Sequence, residues 1–379
     1  MTKKAMYAFS GDPITHGHID IIARASSAFD QVVVGIGANP DKKYMFTLEE
    51  RTEMAQKSLT KFKNIEVVSF QGLLVDYAYE HGVGVIVKGV RNTSDFDYEN
   101  MLHQVGESQK LGIDTHILFA RPELAHVSSS TVKAIQKEQG LIHEYVPLYV
   151  KQCLEAHMSE QYIVGVTGEI GAGKSYVSQR FLELGKKKGI SVHDIELDHI
   201  GHQILGELKQ PKYEEVRKQI AEAFGQQVRK SDGTIDRKTL GEIVFTDSNA
   251  LDKLNPIMST PLLVRLRREL YGKKGLILFD AALIAESDLA YLCNNNVILV
   301  YADKQTQESR LNSRGLSSEQ IKRRLSSQFD FQGKKKRLEQ MIDRDNQGNV
   351  WVVDNSEKAN SSDNIKKTFE EVVSRLGVK

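Results

Sequence analysis

Cysteine is scarce in this chain, and neither sign of charge is in clear excess. The two cysteines, Cys153 and Cys293, are far apart and form no Cys-x-x-Cys pair. This pattern disfavours a disulfide scaffold and a thiolate zinc site, and it fits a reducing cytosol. Lysine and arginine number 51 and aspartate and glutamate 50, giving a formal charge of +1. Such a balance supplies no global field that would attract nucleic acid or an acidic membrane.

Long hydrophobic runs are also missing. The apolar stretch 5–9 is too short for the core of a signal peptide. The run 275–285 is interrupted by Asp280 and cannot span a bilayer. With 40% hydrophobic and 27% charged residues, the composition is ordinary for a globular protein. We therefore expect a soluble, cytoplasmic protein that has neither a nucleic-acid nor a membrane partner.

The first part of the chain alternates apolar runs with amphipathic segments. The runs are rich in valine and isoleucine and lie at 5–9, 32–38, 65–70, 83–90 and 116–120. They lack strict polar alternation, as expected for parallel strands buried on both faces. Helix starts are predicted at Ile19, at the capping box 47–50 (Thr-Leu-Glu-Glu), and at Ser94 with Asp97. These successive β-α units indicate a doubly wound parallel sheet.

The β-α pattern restarts after the polar stretch 158–161. Strands are predicted at 162–166, 191–195, 275–279, 297–301 and 350–353, and long helices at 317–345 and 364–376. A length of 379 residues suits two or three domains. We therefore predict an α/β protein with two doubly wound parallel-sheet domains, 1–158 and 159–379.

A phosphate-binding loop follows the first strand of the second domain. Residues 168–175 read Gly-Glu-Ile-Gly-Ala-Gly-Lys-Ser, which fits Gly-x-x-x-x-Gly-Lys-Ser/Thr between a strand and a helix. The glycines let backbone N–H groups curl around phosphate oxygens at the helix N-terminus. Lys174 can reach the β- and γ-phosphates, and the Ser175 hydroxyl can bind Mg²⁺. The alternative is a glycine-rich turn without a ligand.

A carboxylate also follows the second strand of this domain, on the ligand side of the sheet. Asp194 and Asp198 both suit a base that accepts a proton from a substrate hydroxyl, and we prefer Asp198. The alternative for either residue is helix capping.

Arginines are concentrated around Gly315, at Arg310, Arg314, Arg323 and Arg324. Their guanidinium groups are predicted to clamp the transferring phosphoryl group from a mobile lid. The alternative for these arginines is a solvated helix face. The basic run 334–337 (Lys-Lys-Lys-Arg) is interpreted as a solvated helix face.

With these features the second domain resembles dephospho-coenzyme A kinase. Further matching segments are 197–201 (Leu-Asp-His-Ile-Gly), 232–237 (Asp-Gly-Thr-Ile-Asp-Arg) with Leu240 and Phe245, and 352–356 (Val-Val-Asp-Asn-Ser). The resemblance implies a P-loop kinase that uses ATP and Mg²⁺, with Lys174, Asp198 and Arg310 catalytic and Ser175 on the metal. It implies that ATP contacts Gly168, Gly171, Ala172, Gly173, Ser175, Tyr176 and Arg314. Two segments depart from the family near its acceptor pocket: Thr260-Pro261 replaces His-Pro, and 282–286 (Ala-Leu-Ile-Ala-Glu) replaces Pro-Leu-Leu-x-Glu.

A second nucleotide site is predicted after the first strand of the chain. Residues 12–18 read Asp-Pro-Ile-Thr-His-Gly-His and place His18 at a helix start. An imidazole there can donate to a phosphate held by the helix dipole. A metal pair of His16 and His18 is the alternative, but no third ligand is spaced nearby.

This Thr-x-Gly-His pattern resembles the nucleotidyltransferase superfamily, and within it phosphopantetheine adenylyltransferase. The supporting segments are 12–20, 42–51 (Lys-Lys-Tyr-Met-Phe-Thr-Leu-Glu-Glu-Arg), 87–91 (Val-Lys-Gly-Val-Arg), 95–99 (Asp-Phe-Asp-Tyr-Glu) and 127–133 (Val-Ser-Ser-Ser-Thr-Val-Lys). The resemblance implies a Rossmann-like domain in which His18, Lys42 and Arg91 are catalytic. It implies that ATP contacts Ser10, Gly17, Gly89, Glu99, Ser128, Ser129 and Ser130, and that the acceptor contacts Ser10, Lys42, Leu74 and Lys88. Helix capping is the alternative for Ser128.

One segment and one further position depart from this family's pattern. The family's Gly-Thr-Phe before Asp-Pro reads here Phe9-Ser10-Gly11, in which Ser10 can keep the hydroxyl contact and the family's phenylalanine is missing. Lys88 stands where many members have arginine, which keeps the charge but loses the bidentate fork.

Together the two resemblances predict a bifunctional enzyme for the last two steps of coenzyme A synthesis. Its substrates would be 4′-phosphopantetheine, dephospho-coenzyme A and ATP with Mg²⁺, and the first family implies a homo-oligomer. One alternative is a nicotinamide mononucleotide adenylyltransferase fused to a nucleoside kinase. Another is that one half has lost turnover and serves as a nucleotide-sensing or oligomerising module.

Overall fold

The computed structural model describes residues 3–39, 42–244, 248–313, 315, 321, 325 and 328–379. The chain divides into two compact units, Met1–Leu154 and Glu155–Lys379. The helix Leu148–Ser159 runs through this division, and the predicted boundary after residue 158 falls near its end. Within the described ranges, no helix is both long and apolar enough to cross a membrane.

The first unit is built on a parallel sheet of five strands. They are β1 (Lys4–Phe9), β2 (Gln31–Gly37), β3 (Ile65–Phe70), β4 (Val85–Val90) and β5 (Asp114–Phe119). Their spatial order is β3-β2-β1-β4-β5. The strand order therefore reverses beside β1, and in doubly wound sheets ligands bind at the carboxyl ends of strands at such a point. The predicted fold of this domain is confirmed.

Helices connect these strands or follow the last of them. They are α1 (His16–Ala28), α2 (Leu48–Ser58), α3 (Leu74–Glu80), α4 (Thr93–Ser108), α5 (Ser129–Lys137) and α6 (Leu148–Ser159). The capping box before α2 is confirmed, since the Thr47 hydroxyl accepts from the Glu50 N–H and the Glu50 carboxylate accepts from the Thr47 N–H. The predicted start of α4 near Ser94 is wrong. The Asn92 side chain caps that helix earlier, accepting from the Asp95 N–H at 2.9 Å.

The second unit has its own parallel sheet. Its strands are β6 (Gln161–Gly168), β7 (Val192–Glu196), β8 (Gly275–Asp280), β9 (Asn296–Tyr301) and β10 (Asn349–Asp354). Their order is β10-β9-β6-β8-β7. The central strand β6 is buried along its whole length, which explains the apolar run 162–166 at its centre. The chain first places β7 and β8 on one side of β6 and then places β9 and β10 on the other. The strand order therefore reverses at β6, and its carboxyl end is the switch point.

The helices of the second unit are α7 (Lys174–Lys188), α8 (Leu197–Gly206), α9 (Pro211–Phe224), α10 (Arg237–Val244), α11 (Ser248–Leu270), α12 (Lys304–Ser313), α13 (Phe331–Asp345) and α14 (Ser361–Leu376). The prediction of one helix over 317–345 is wrong, because 328–330 are not helical. Asp330 caps a separate helix there, since its carboxylate accepts from the Gly333 N–H at 2.7 Å. Phe245, Arg314, Arg323 and Arg324 lie outside the described residues.

Candidate active sites

A cavity of about 890 Å³ opens at the carboxyl ends of the strands in the first unit. It is lined by every residue that the sequence assigned to this domain's site: Ser10, Gly17, His18, Lys42, Leu74, Lys88, Gly89, Arg91, Glu99, Ser128, Ser129 and Ser130. These residues come from segments spread over the domain, and the fold brings them to one place. The volume is in the range of small-molecule sites.

His18 is held in one orientation at the start of α1. Its Nδ1 accepts from the Thr15 backbone N–H at 3.0 Å, and the Thr15 hydroxyl lies 2.9 Å from the same nitrogen. Because a backbone N–H can only donate, Nδ1 is unprotonated and Nε2 carries the proton. Burial, together with the nearby charge of Arg91, lowers the pKa of His18 to about 4. The imidazole is therefore a neutral donor at physiological pH.

Charged groups line this cavity in pairs. The pairs are Lys88–Glu99 at 2.8 Å, Arg91–Asp95 at 2.7 Å and Lys133–Asp12 at 2.8 Å. The Asp95 hydrogen bonds raise the pKa of Arg91, and the Arg91 hydrogen bonds lower that of Asp95. Lys42 and Lys43 also line the cavity, and across the part of the chain that the structure describes they have no carboxylate partner. Their ammonium groups suit an anionic ligand.

Asp12 organises the cavity wall, a role that the sequence analysis missed. Its carboxylate accepts from Lys133 Nζ at 2.8 Å and from the backbone N–H groups of Met45 and Phe46. Burial raises the pKa of Asp12, but these hydrogen bonds outweigh burial and the pKa is lowered overall. The carboxylate thus ties the loop after Lys42 to the turn before α1. An aspartate in a turn between a strand and a helix was the only signal.

Arg51 also supports this cavity wall, and the sequence analysis assigned it no role. It is 2% exposed, and its guanidinium donates to the Ser10 and Gly37 backbone carbonyls. It also stacks 3.9 Å from the Tyr44 ring centroid. A buried arginine fixes the ends of β1 and β2, and Ser10 with them.

The serine run at the start of α5 divides into three roles. Ser128 caps the helix by accepting from the Thr131 N–H at 3.1 Å, as the capping alternative proposed. Ser129 donates to the Pro13 carbonyl at 2.8 Å. Ser130 is exposed and lines the cavity. All three serines line the cavity, so the N-terminus of α5 lies beside it, and a helix N-terminus favours an anion.

The second unit has a cavity of about 460 Å³ beside the loop before α7. The predicted residues Gly171, Gly173, Lys174, Ser175, Tyr176 and Arg310 line it. Gly168 and Ala172 lie outside its lining. Gly168 packs so closely on β9 that an added Cβ would stand 2.3 Å from the Val300 carbonyl oxygen. The Ala172 N–H donates to the Glu169 carbonyl within the loop.

The loop conformation depends on Gly173 and on Asn355, which the sequence analysis quoted without a role. Gly173 caps α7 at a φ of 94°, and a Cβ there would lie 2.2 Å from Asn355 Nδ2. Asn355 Nδ2 donates to the Ala172 carbonyl at 2.8 Å. Arg310 donates to the carbonyls of Ala172 and Asn355. Arg310 therefore braces the loop while it lines the cavity.

A group of carboxylates lies at the ends of β7 and β8, and it includes a residue that the sequence analysis did not assign. Asp280 ends β8, is 6% exposed, and has its pKa raised to about 7 by burial and by neighbouring carboxylates. Lys174 opposes that rise. Burial and Glu196 raise the pKa of Asp194 to about 6. The signal for Asp280 was an acidic residue that ends a buried apolar run.

Asp198 lies in the first turn of α8 and is exposed. Its charge, with those of Asp194 and Glu196, is among the causes of the Asp280 shift, which places these groups near one another. The chemistry available here is a proton acceptor near Lys174, which lines the cavity beside the loop.

Lys334 contradicts the interpretation of 334–337 as a solvated face. Its side chain is 0% exposed and donates to Glu286 Oε1 at 2.5 Å and to the Ala282 carbonyl at 2.7 Å. Burial lowers the pKa of Lys334, and Glu286 opposes that effect. Helical spacing places Lys334 and Leu338 on the buried face of α13. The pair anchors α13 to the segment 282–286.

Family profiles match both parts of the chain. The Cytidylyltransferase-like family matches residues 10–135, and the Dephospho-CoA kinase family matches residues 162–350. A curated relative, the phosphopantetheine adenylyltransferase of Alkaliphilus metalliredigens (strain QYMF), is 43% identical over 152 residues. That alignment covers 40% of this chain and 97% of the relative.

The chain also shows a limited similarity to three solved structures. The crystal structure of TT1252 from Thermus thermophilus is 24% identical with a TM-score of 0.44, covering 57% of this chain and 98% of its own. The dephospho-CoA kinase from Campylobacter jejuni is 25% identical with a TM-score of 0.35 and the same coverage. NadR protein in complex with NR is 12% identical with a TM-score of 0.33, covering 100% of this chain and 97% of its own.

Proposed function

The chain belongs to the phosphopantetheine adenylyltransferase family through its first domain and carries a dephospho-CoA kinase domain after it, and on this premise we propose that it converts 4′-phosphopantetheine to coenzyme A. The two domains support the last two steps of coenzyme A biosynthesis, and the chain is a bifunctional transferase and kinase. We propose 1–158 and 159–379 as the extents of the two domains.

The first step is adenylyl transfer. A phosphate oxygen of 4′-phosphopantetheine attacks the α-phosphorus of ATP, the bond to the β-phosphate oxygen breaks, and pyrophosphate leaves. In-line transfer of this kind needs positioning and charge stabilisation rather than a covalent enzyme intermediate. His18 Nε2 donates to the oxygens of the α-phosphate, where charge develops. Its neutral, fixed imidazole supports this role.

The acceptor and the triphosphate are held by the charged wall of the cavity. Lys42 and Lys88 bind the acceptor phosphate, and Leu74 contacts the pantetheine arm. The triphosphate is bound by Arg91 and by the amides at the start of α5. The rest of the nucleotide contacts Ser10, Gly17, Gly89 and Glu99. The proposal is supported by one observation above others: residues from all of these segments line a single cavity.

The second step is phosphorylation of the ribose 3′-hydroxyl of dephospho-coenzyme A. The hydroxyl oxygen attacks the γ-phosphorus of a second ATP, the β–γ bridge breaks, and ADP leaves. Asp198 accepts the hydroxyl proton. The loop glycines, Lys174 and Arg310 hold the phosphates, with Tyr176 at the nucleotide.

The residues of this site fit a Mg²⁺ ion. Ser175 faces the phosphate cavity, and the buried Asp280 carboxylate lies within electrostatic reach of Lys174. Hydroxyl and carboxylate oxygens are the donors that Mg²⁺ prefers. When bound, the ion neutralises charge on the β- and γ-phosphates.

A product assay tests the proposal. Purified chain is incubated with 4′-phosphopantetheine, ATP and Mg²⁺ while pyrophosphate, dephospho-coenzyme A, ADP and coenzyme A are followed together. We expect all four, with dephospho-coenzyme A as the transient species. The family matches do not favour the nicotinamide alternative, and turnover of nicotinamide mononucleotide in place of 4′-phosphopantetheine would revive it. Pyrophosphate release with no coenzyme A would support the alternative of an inactive second half.

A further inference from the structure

Phe9 lies directly against the proposed catalytic imidazole. It ends β1, and its ring stacks on that of His18 with centroids 4.5 Å apart and an angle of 22° between the planes. The ring is half-buried and lines the same cavity. No other aromatic ring contact of His18 occurs within the described residues. The stacking covers one face of the imidazole.

Gly11 provides the room for this ring. Its φ of 63° lies in the left-handed region, where side chains are strained. A Cβ added there would lie 3.3 Å from Phe9 Cε2 and 3.3 Å from Ile36 Cδ1. The Phe9 ring therefore uses space that a side chain at position 11 would need. The aromatic ring at position 9 and the glycine at position 11 therefore depend on each other.

His18 is thus fixed from two directions. Thr15 holds its edge through Nδ1, and Phe9 covers its face. Only Nε2 remains to donate into the cavity. A ring restrained in this way loses little conformational freedom when it binds the transition state.

We infer that Phe9 is a positioning residue for His18 in adenylyl transfer, with Gly11 as the residue that admits its ring. The inference rests on the proposed function of the first domain. Phe9 acts by keeping the imidazole at the angle at which Nε2 meets the α-phosphate, and by excluding water from one face of the ring.

Loss of the Phe9 ring has a chemical signature apart from folding. Water then reaches the imidazole and favours protonation, and a protonated Nδ1 can no longer accept from Thr15. The charged groups that share the cavity are Lys42, Lys43, Lys88, Arg91, Lys133, Asp12, Asp95 and Glu99. All of them remain in a Phe9 variant, so a change in the titration of His18 reports the lost ring contact.

The test compares Phe9→Leu and Phe9→Tyr in the full chain. Leucine keeps an apolar side chain without a flat face, and tyrosine keeps the face. We expect Phe9→Leu to lower kcat for pyrophosphate release about tenfold, with KM for ATP within about twofold of wild type. Phe9→Tyr is expected to keep the wild-type kcat, because it keeps the flat ring face. Phosphorylation of added dephospho-coenzyme A by the same preparations stays at the wild-type rate, since that reaction belongs to the second domain, and the unchanged KM for ATP reports an intact nucleotide site in the first.

Two further measurements complete the test. Phe29→Leu is the matched control, because it removes a ring from beside a different histidine, His116, at 5.8 Å. We expect it to leave adenylyl transfer unchanged. NMR titration of His18 is expected to show its pKa moving in Phe9→Leu toward the ordinary 6.5 and staying low in Phe9→Tyr.

Wild-type kcat together with an unshifted His18 titration in Phe9→Leu would overturn the inference. So would an equal loss of kcat in Phe29→Leu. Failure of the wild-type chain to adenylate 4′-phosphopantetheine would refute the proposed function instead, and the NMR comparison would then still decide whether Phe9 shields His18.

Discussion

The Thr15 backbone N–H donates to Nδ1 of His18 across a distance of 3.0 Å. The two residues form a capping box in which the third residue of the helix is a histidine rather than the usual glutamate or glutamine. A bond that stabilises the start of α1 therefore also selects the imidazole tautomer. Nε2 is left with the proton, on a ring that lines the cavity of the first unit.

Replacement of His18 by glutamine is expected to reduce pyrophosphate release about 100-fold or more, because it removes an oriented donor to the transition state. The rate with added dephospho-coenzyme A should not change, because that reaction belongs to the other domain. His16→Gln serves as the control, since His16 contacts the Glu144 carbonyl instead. Steady-state kinetics of both half-reactions checks the prediction, and an equal loss in His16→Gln would point to the metal-pair alternative.

Lys174→Met should have the converse effect. Its ammonium group faces the phosphate cavity, so we expect coenzyme A formation to fall about 100-fold or more while pyrophosphate release continues. Dephospho-coenzyme A then accumulates and can be quantified by chromatography. Lys187→Met, an exposed residue near the end of the same helix, provides the matched control. Unchanged coenzyme A formation in Lys174→Met would contradict the assigned role of the loop.

Asp280 should make the second domain less stable as pH rises. Its pKa is raised from 3.8 to about 7, so the folded state keeps a proton that the unfolded chain releases in that window. The free energy of unfolding therefore decreases with pH across it. Asp280→Asn cannot ionise and should flatten this dependence, gaining on the order of 1–3 kcal/mol at about pH 8.

Urea unfolding of the nucleotide-free protein tests this effect. The chain has one tryptophan, Trp351, which is buried in β10, so its fluorescence follows the second domain. Parallel pH profiles for wild type and Asp280→Asn would refute the prediction. We also expect the variant to lose kinase activity, since stability and activity conflict at this carboxylate.

Lys334→Met should destabilise the second domain by about 3 kcal/mol, because it leaves Glu286 largely buried without its cation. The double variant Lys334→Met with Glu286→Leu should recover most of the loss, since it removes both charges. Lys335→Met is the matched control, because its amine reaches Glu339 at 3.6 Å on a more exposed face and should change stability by less than about 0.5 kcal/mol. Trp351 fluorescence in urea again measures the change, and equal effects of the two single variants would be contrary to expectation.

The sequence predicted the elements and site residues whose signal is local. The buried strands, the capping box at Thr47 and the loop that ends in Lys174 and Ser175 can be read within a few residues, because periodicity, caps and glycines act over such distances. The non-helical break before Phe331 was missed, because the helical pattern of the residues after it was taken to extend back to residue 317.

Contacts made between distant segments could not be predicted in this way. Lys334 was interpreted as solvated because its partner Glu286 is far away in the chain, and only packing of α13 brings them together. Asp12, Arg51 and Asn355 support their sites through backbone groups that carry no sequence signal. Asp280 was noted only as an interruption of an apolar run, although a strand end at the switch point is where an acid can face phosphate.

The proposal that one chain carries out both steps is tested most directly by following the phosphorus atoms of ATP into the product. The wild-type chain is supplied with 4′-phosphopantetheine and ATP labelled at either the α- or the γ-phosphate. If one chain carries out both steps, each coenzyme A molecule contains one α-label in its pyrophosphate bridge and one γ-label on its ribose 3′-phosphate. Incorporation of the α-label without the γ-label, or of neither, would contradict the claim that one chain carries out both steps.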